Sequence, residues 1–168
     1  MKIIYLAVSG IALLVCGAMN SVAVAGESQT RSLTLRVLVD GPPPCSVKGS
    51  RVEFGNVVIN EIDGNNYRRN ADYTLDCSNS LMSDLQLQLK GTTTVINGEK
   101  VISTDIAGFG IRIENAADNS LFAVGENNWT AFNINNQPQL KAVPVKENGV
   151  QLTAAEFNAT MTMVVDYQ

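Results

Sequence analysis

A chain of 168 residues, 45% hydrophobic and 17% charged, is long enough to bury one core and too short for two ordinary domains. Its 12 Lys and Arg stand against 16 Asp and Glu, a formal charge of −4 that offers a polyphosphate no basic face, so nucleic acid is not an expected partner. The absence of histidine removes the usual general base and the commonest zinc or copper ligand, so histidine-dependent hydrolases, histidine zinc sites and blue-copper centres are excluded, and no catalytic residue, metal or small-molecule cofactor is expected.

Residues 1–25 read as an export signal. Lys2 precedes a run that is apolar from Ile3 to Ala18 except at Ser9 and Gly10, and Ala23-Val24-Ala25 supplies a small-residue cleavage site before Gly26. A transmembrane helix is the competing interpretation, but the strongly apolar stretch falls short of the roughly 20 residues that span a bilayer. Cys16 invites lipid attachment, yet Val15 stands where that signal wants a small side chain. Cleavage leaves Cys45 and Cys77, an even pair in an exported chain, and a disulfide between them is expected. Closing a loop of roughly 30 residues is worth about 3 to 4 kcal/mol in the chain-entropy description. Two separately buried thiols are the alternative.

Beyond the signal, alternation dominates over helical spacing. From Arg31 to Asp40, Leu33, Leu35, Val37 and Val39 share one face, and three prolines, Pro42-Pro43-Pro44, then halt sheet pairing. Tyr73, Leu75 and Cys77 alternate with Thr74 and Asp76. Asp84 to Lys90 reads D-L-Q-L-Q-L-K, and Gly110 to Glu114 reads G-I-R-I-E. Asp63-Gly64-Asn65-Asn66, Asn97-Gly98 and Glu147-Asn148-Gly149 carry turn chemistry. A short helical turn near Thr153 to Glu156 is compatible with the local sequence, and no long amphipathic helix is visible. Phe157, Ala159, Met161, Met163, Val165 and Tyr167 then alternate with polar residues except Val164, which defines a core strand running to Gln168. Such punctuated strands favour a two-sheet antiparallel sandwich. Its two long apolar termini are exposed edges that must be managed.

Several features occur in one order. They are the alternating segment before Pro44-Cys45, the element Val52-Glu53-Phe54-Gly55, then Leu75-Asp76-Cys77, then Gly108-Phe109-Gly110-Ile111 with a polar turn from Asn115 to Asn119, and an ending of Phe157-x-Ala159 with Tyr167 next to last. In this arrangement the chain resembles the pilins of bacterial chaperone/usher fimbriae, of a minor or adaptor kind. That resemblance implies an all-β, incomplete immunoglobulin-like sandwich lacking its last strand, completed by donor-strand addition from a neighbouring subunit. It implies a division into signal peptide 1–25, donor extension 26–40 and pilin domain 41–168. Leu33, Leu35, Val37 and Val39 would be the donor side chains. Phe157, Ala159, Met161, Met163, Val165 and Tyr167 would line the acceptor groove, with the carboxylate of Gln168 meeting basic chaperone residues. The implied partners are a periplasmic fimbrial chaperone, an outer-membrane usher and adjacent fimbrial subunits. The implied route runs through the periplasm to an extracellular surface fimbria. Two departures stand out: Ala155 occupies a position where the family usually has glycine, and the donor segment has no mid-strand glycine, which leaves its register open by one or two residues.

A second function is a single-domain tip module that binds a host glycan or protein. Trp129, within Glu126-Asn127-Asn128-Trp129-Thr130, and the run from Asn133 to Asn136 suit sugar recognition, whereas the competing view packs Trp129 in the sandwich and assigns the asparagines to turns. An enzyme would rest on Asp72, Asp76 and Asp84 alone, and carboxylates on alternating strands and loops make no catalytic pair.

Overall fold

The structure is a computed structural model that describes residues 43–168. The expected signal peptide and the donor residues Leu33, Leu35, Val37 and Val39 lie outside the described residues. Ten strands and one short 3-10 turn, Ile59–Glu61, make up the regular structure there. In chain order the strands are β1 (Ser46–Gly49), β2 (Arg69–Asn70), β3 (Tyr73–Asp76), β4 (Asp84–Lys90), β5 (Thr93–Ile96), β6 (Glu99–Ser103), β7 (Phe109–Asn115), β8 (Trp129–Asn133), β9 (Leu140–Lys146) and β10 (Thr162–Tyr167). All pairings are antiparallel, in sheets ordered β1-β3, β10-β4-β8 and β2-β9-β7-β6-β5.

The alternation in the sequence decides which faces meet. Leu85, Leu87 and Leu89 of β4, Phe132 of β8 and Val165 of β10 turn inward from the three-stranded sheet. They pack against Ile102, Ile111, Ile113, Leu140 and Ala142 of the five-stranded sheet to form one core. The result is an incomplete immunoglobulin-like sandwich whose sheets do not close. Cys45 and Cys77 form the expected disulfide, with sulfurs 2.06 Å apart, and tie the start of β1 to the end of β3.

Turn chemistry lies where the sequence marks it. Asn97 and Gly98 adopt φ of 52° and 87°, which connects β5 to β6 as a tight hairpin. Proline is tolerated inside β9 because β2 reaches only Lys141 and Ala142, so Pro144 has a ladder partner, Ile111, on one side only. The helical turn expected near Thr153 to Glu156 does not form; this stretch has no regular secondary structure and lines the groove described below. Its four side chains include no apolar residue larger than alanine, too little to hold a short helix against the sandwich.

The outer face of the five-stranded sheet is also covered. Ile96, Val101 and Val145 form a small second cluster. Gly110 permits it, because a Cβ at that position would stand 2.7 Å from Val101 Cγ2 and 2.9 Å from the Ile102 carbonyl oxygen. Beside this cluster, residues 59–68 fold back over β7, and Glu114, only 1% exposed, accepts hydrogen bonds from Arg68 Nε at 2.7 Å and Arg112 Nη2 at 2.6 Å. Arg112 also donates to Glu99 and to the Gly64 carbonyl oxygen. A buried charge is tolerated only with such pairing.

Candidate functional site: an open groove between two unpaired segments

Residues 50–57 continue from β1 without regular secondary structure; Val52 and Phe54 turn toward the core while Arg51 and Glu53 point to solvent, and the chain turns at Gly55, where φ is 67°. The exposed Arg51–Glu53 pair, at 3.3 Å, contributes little to stability. On the opposite side, residues 152–161 lead into β10 without regular secondary structure. Apart from a bond between Ser50 and Asp72 at one end, neither segment joins a strand ladder among the described residues.

Between them lies a cavity of about 940 Å³. Its floor is apolar, made by Ile102 of β6, Ile106, and Phe109, Ile111 and Ile113 of β7. Phe157 anchors one lip: its ring meets Phe109 edge-on at 4.8 Å and faces Phe54 of the other lip at 6.0 Å. The backbone N–H of Asn158 donates to Asp105 Oδ1, which fastens the same lip to the β6–β7 connection. Gly91 lets the lip pass close to the end of β4, since a Cβ there would lie 2.8 Å from the Thr160 carbonyl oxygen.

The residues expected to form an acceptor divide into two sets. Phe157, Ala159 and Met161 border the cavity. Met163, Val165 and Tyr167 lie in β10, opposite Leu89, Leu87 and Leu85, and pack into the core. Gln168 is exposed, and its side-chain amide donates to the Leu85 carbonyl oxygen at 3.0 Å, while Gln86 Nε2 donates to the Tyr167 carbonyl oxygen at 2.7 Å. The end of the chain is thereby stapled across the start of β4. Among the described residues, β10 has a ladder partner on one edge only. Ala155 lines the cavity without a positive φ, so its methyl group sits on ordinary backbone.

The Ser50–Val57 lip and the aliphatic floor beneath it were not among the residues expected to form the groove. The alternation of Val52 and Phe54 was their signal. Chemically, the arrangement offers backbone N–H and C=O groups outside any ladder along two segments and an apolar floor, which suits an added extended strand carrying apolar side chains at alternate positions.

Trp129 is 38% exposed on the outward face of β8, next to Gln88 of β4 rather than inside the sandwich. The asparagines after it build a turn: Asn133 Oδ1 accepts from the Asn135 N–H, and the Asn136 N–H donates to the Asn133 carbonyl oxygen.

A family model described as Fimbrial protein matches residues 32–168. The chain is 67% identical over 161 residues to the uncharacterized fimbrial-like protein YfcR of Escherichia coli (strain K12), a match covering 96% of this chain and 94% of that one. It is 34% identical over 137 residues to the fimbrial-like protein YfcQ of the same strain, covering 76% and 81% respectively. Among solved structures, the P pilus rod subunit PapA aligns with a TM-score of 0.54 at 18% identity, over 83% of this chain and 100% of that chain, a likeness of fold.

Proposed function

The chain belongs to the fimbrial protein family, and on that basis we propose that it is a structural subunit of an adhesive surface fimbria that polymerises by donor-strand exchange. After export, a periplasmic chaperone fills the groove and delivers the subunit to an outer-membrane usher. The N-terminal extension of an adjacent subunit, carrying side chains equivalent to Leu33, Leu35, Val37 and Val39, then takes the chaperone's place. The observation that carries this reading is the groove itself, an apolar floor between two segments that join no strand ladder among the described residues. Strand addition satisfies both their backbone groups and the floor, which no compact ligand does equally well. The family match beginning at residue 32 supports giving the alternating segment a place in the same function.

The test separates capture from folding. Met161 is 36% exposed on the lip, so a charge there leaves the core intact, unlike one at Met163, which packs against it. Met161→Asp should lose co-purification with the chaperone and be degraded in the periplasm. Undiminished co-purification would contradict the reading. A second reading, a tip module recognising a host glycan or protein, is favoured by the outward position of Trp129. It requires Trp129→Ala to abolish adhesion while fibres stay normal in number and length. The structural-subunit reading expects little change in either.

A further inference from the structure

Beside the disulfide the chain displays two large apolar side chains that the fold does not use. Leu81 is 85% exposed and Met82 53% exposed, both in the connection from Cys77 to β4. This loop is held in shape. The Ser80 N–H donates to the Cys77 carbonyl oxygen at 2.9 Å, Ser80 Oγ donates to the Met82 carbonyl oxygen at 2.7 Å, and Ser78 N–H donates to Asp76 Oδ1 at 3.1 Å. At its far end, the Ile134 N–H donates to the Ser83 carbonyl oxygen and Asn133 Nδ2 to Asp84 Oδ1. A loop this well pinned presents Leu81 to solvent by construction, and exposed apolar groups grouped in one place mark contact surfaces.

Its position indicates what it contacts. Cys77 is bonded to Cys45, with Cα atoms 4.1 Å apart, so the loop starts beside the root of the N-terminal extension. Between Val39 and Cys45 the chain reads Asp40-Gly41-Pro42-Pro43-Pro44. Whatever their conformation, five residues can reach no farther than about 18 Å. A subunit that holds Val39 in its groove is therefore leashed next to the surface carrying Leu81 and Met82, at a high effective concentration.

Resting on the donor-strand reading, we propose that Leu81 and Met82 form a second contact with the adjacent fimbrial subunit that receives this chain's N-terminal extension. They pack against that subunit's surface where the extension enters its groove. The loop adds a side-by-side contact to the inserted strand and fixes the angle between consecutive subunits.

The experiment places a photo-crosslinking amino acid at position 81 of the full chain, assembled with its chaperone, usher and neighbouring subunits. The expected product is a crosslink to the subunit holding the N-terminal extension, located by mass spectrometry to peptides at the mouth of its groove. In parallel, the double variant Leu81→Asp, Met82→Asp should fold and bind chaperone normally, because both side chains are exposed, yet shorten the lifetime of the subunit pair about tenfold. If pairs form through the extension with unchanged lifetime, and position 81 crosslinks to nothing or to the chaperone alone, this inference is overturned and the donor-strand reading stands. If no pair forms through the extension even in the wild type, the donor-strand reading fails and takes this contact with it.

Discussion

Changing Leu35 and Val37 to aspartate should abolish incorporation of the subunit into the groove of its predecessor while leaving chaperone capture intact. Each apolar side chain fully buried in a groove is worth about 1.5 to 3 kcal/mol, so four at alternate positions make a joint that separates very slowly. Two carboxylates in place of the central pair would lose that contribution and enter an apolar floor without a partner, a penalty larger than the gain they replace. On the proposed function, chaperone capture would use the other end of the chain, at Phe157, Ala159 and Met161, which border the cavity, so co-purification measures one step and counting surface fimbriae measures the other. Normal fimbriae from the double variant would remove the N-terminal segment from the assembly mechanism.

The second large effect lies away from the groove. Replacing Glu114 by alanine should cost about 3 to 5 kcal/mol of stability, since it leaves Arg68 and Arg112 against the sheet without their shared carboxylate. Burial alone would push the Glu114 carboxyl up, but hydrogen bonds and charge from Arg68 and Arg112 outweigh it and hold the group below the ordinary value of 4.5. A depressed carboxyl binds its proton less readily in the folded state than in the unfolded one. Its stabilisation is therefore complete above the unfolded value near 4.5 and is lost as pH falls through the lower folded value. Urea unfolding at pH 7 should show the full gap between wild type and Glu114→Ala, and the gap should narrow at pH values well below 4.5. A variant that matches the wild type at neutral pH, with the same acid dependence, would show that the network contributes nothing.

The sequence and the structure agree most closely where alternation reports a face. The D-L-Q-L-Q-L-K stretch is β4 from end to end, and Ile111 and Ile113 point into the core as their spacing requires. At the C-terminus the pattern is continuous from Phe157 to Tyr167, but only Thr162–Tyr167 is paired. Period-two spacing records which side chains meet the core and is blind to whether a neighbouring strand exists. That is why one uninterrupted pattern covers both a paired strand and an unpaired lip. Glu114 was illegible for a related reason. Its parity assigns it to the outer face of β7, and it is buried only because the segment bearing Gly64 and Arg68 returns across that face from 46 to 50 positions earlier in the chain. The groove floor at Ile102 and Ile106 depends on the same kind of long-range placement. Cys45 and Cys77 were legible because, with Cys16 assigned to the expected export signal, two thiols leave a single intramolecular pairing.

On the proposed function, the groove is the place of a strand that another subunit supplies. The melting temperature of residues 41–168 carrying residues 26–40 after Gln168 on a short flexible linker tests this most directly. Filling the groove should raise that temperature by about 10 °C or more over the same domain without the appended segment, given the apolar burial four side chains provide. It should also protect residues 152–161 from proteolysis. The same fusion with aspartate at positions 35 and 37 should show neither effect. An appended segment that leaves melting and proteolysis unchanged, on a domain already stable and monomeric, would mean that the sandwich is complete without a donor strand.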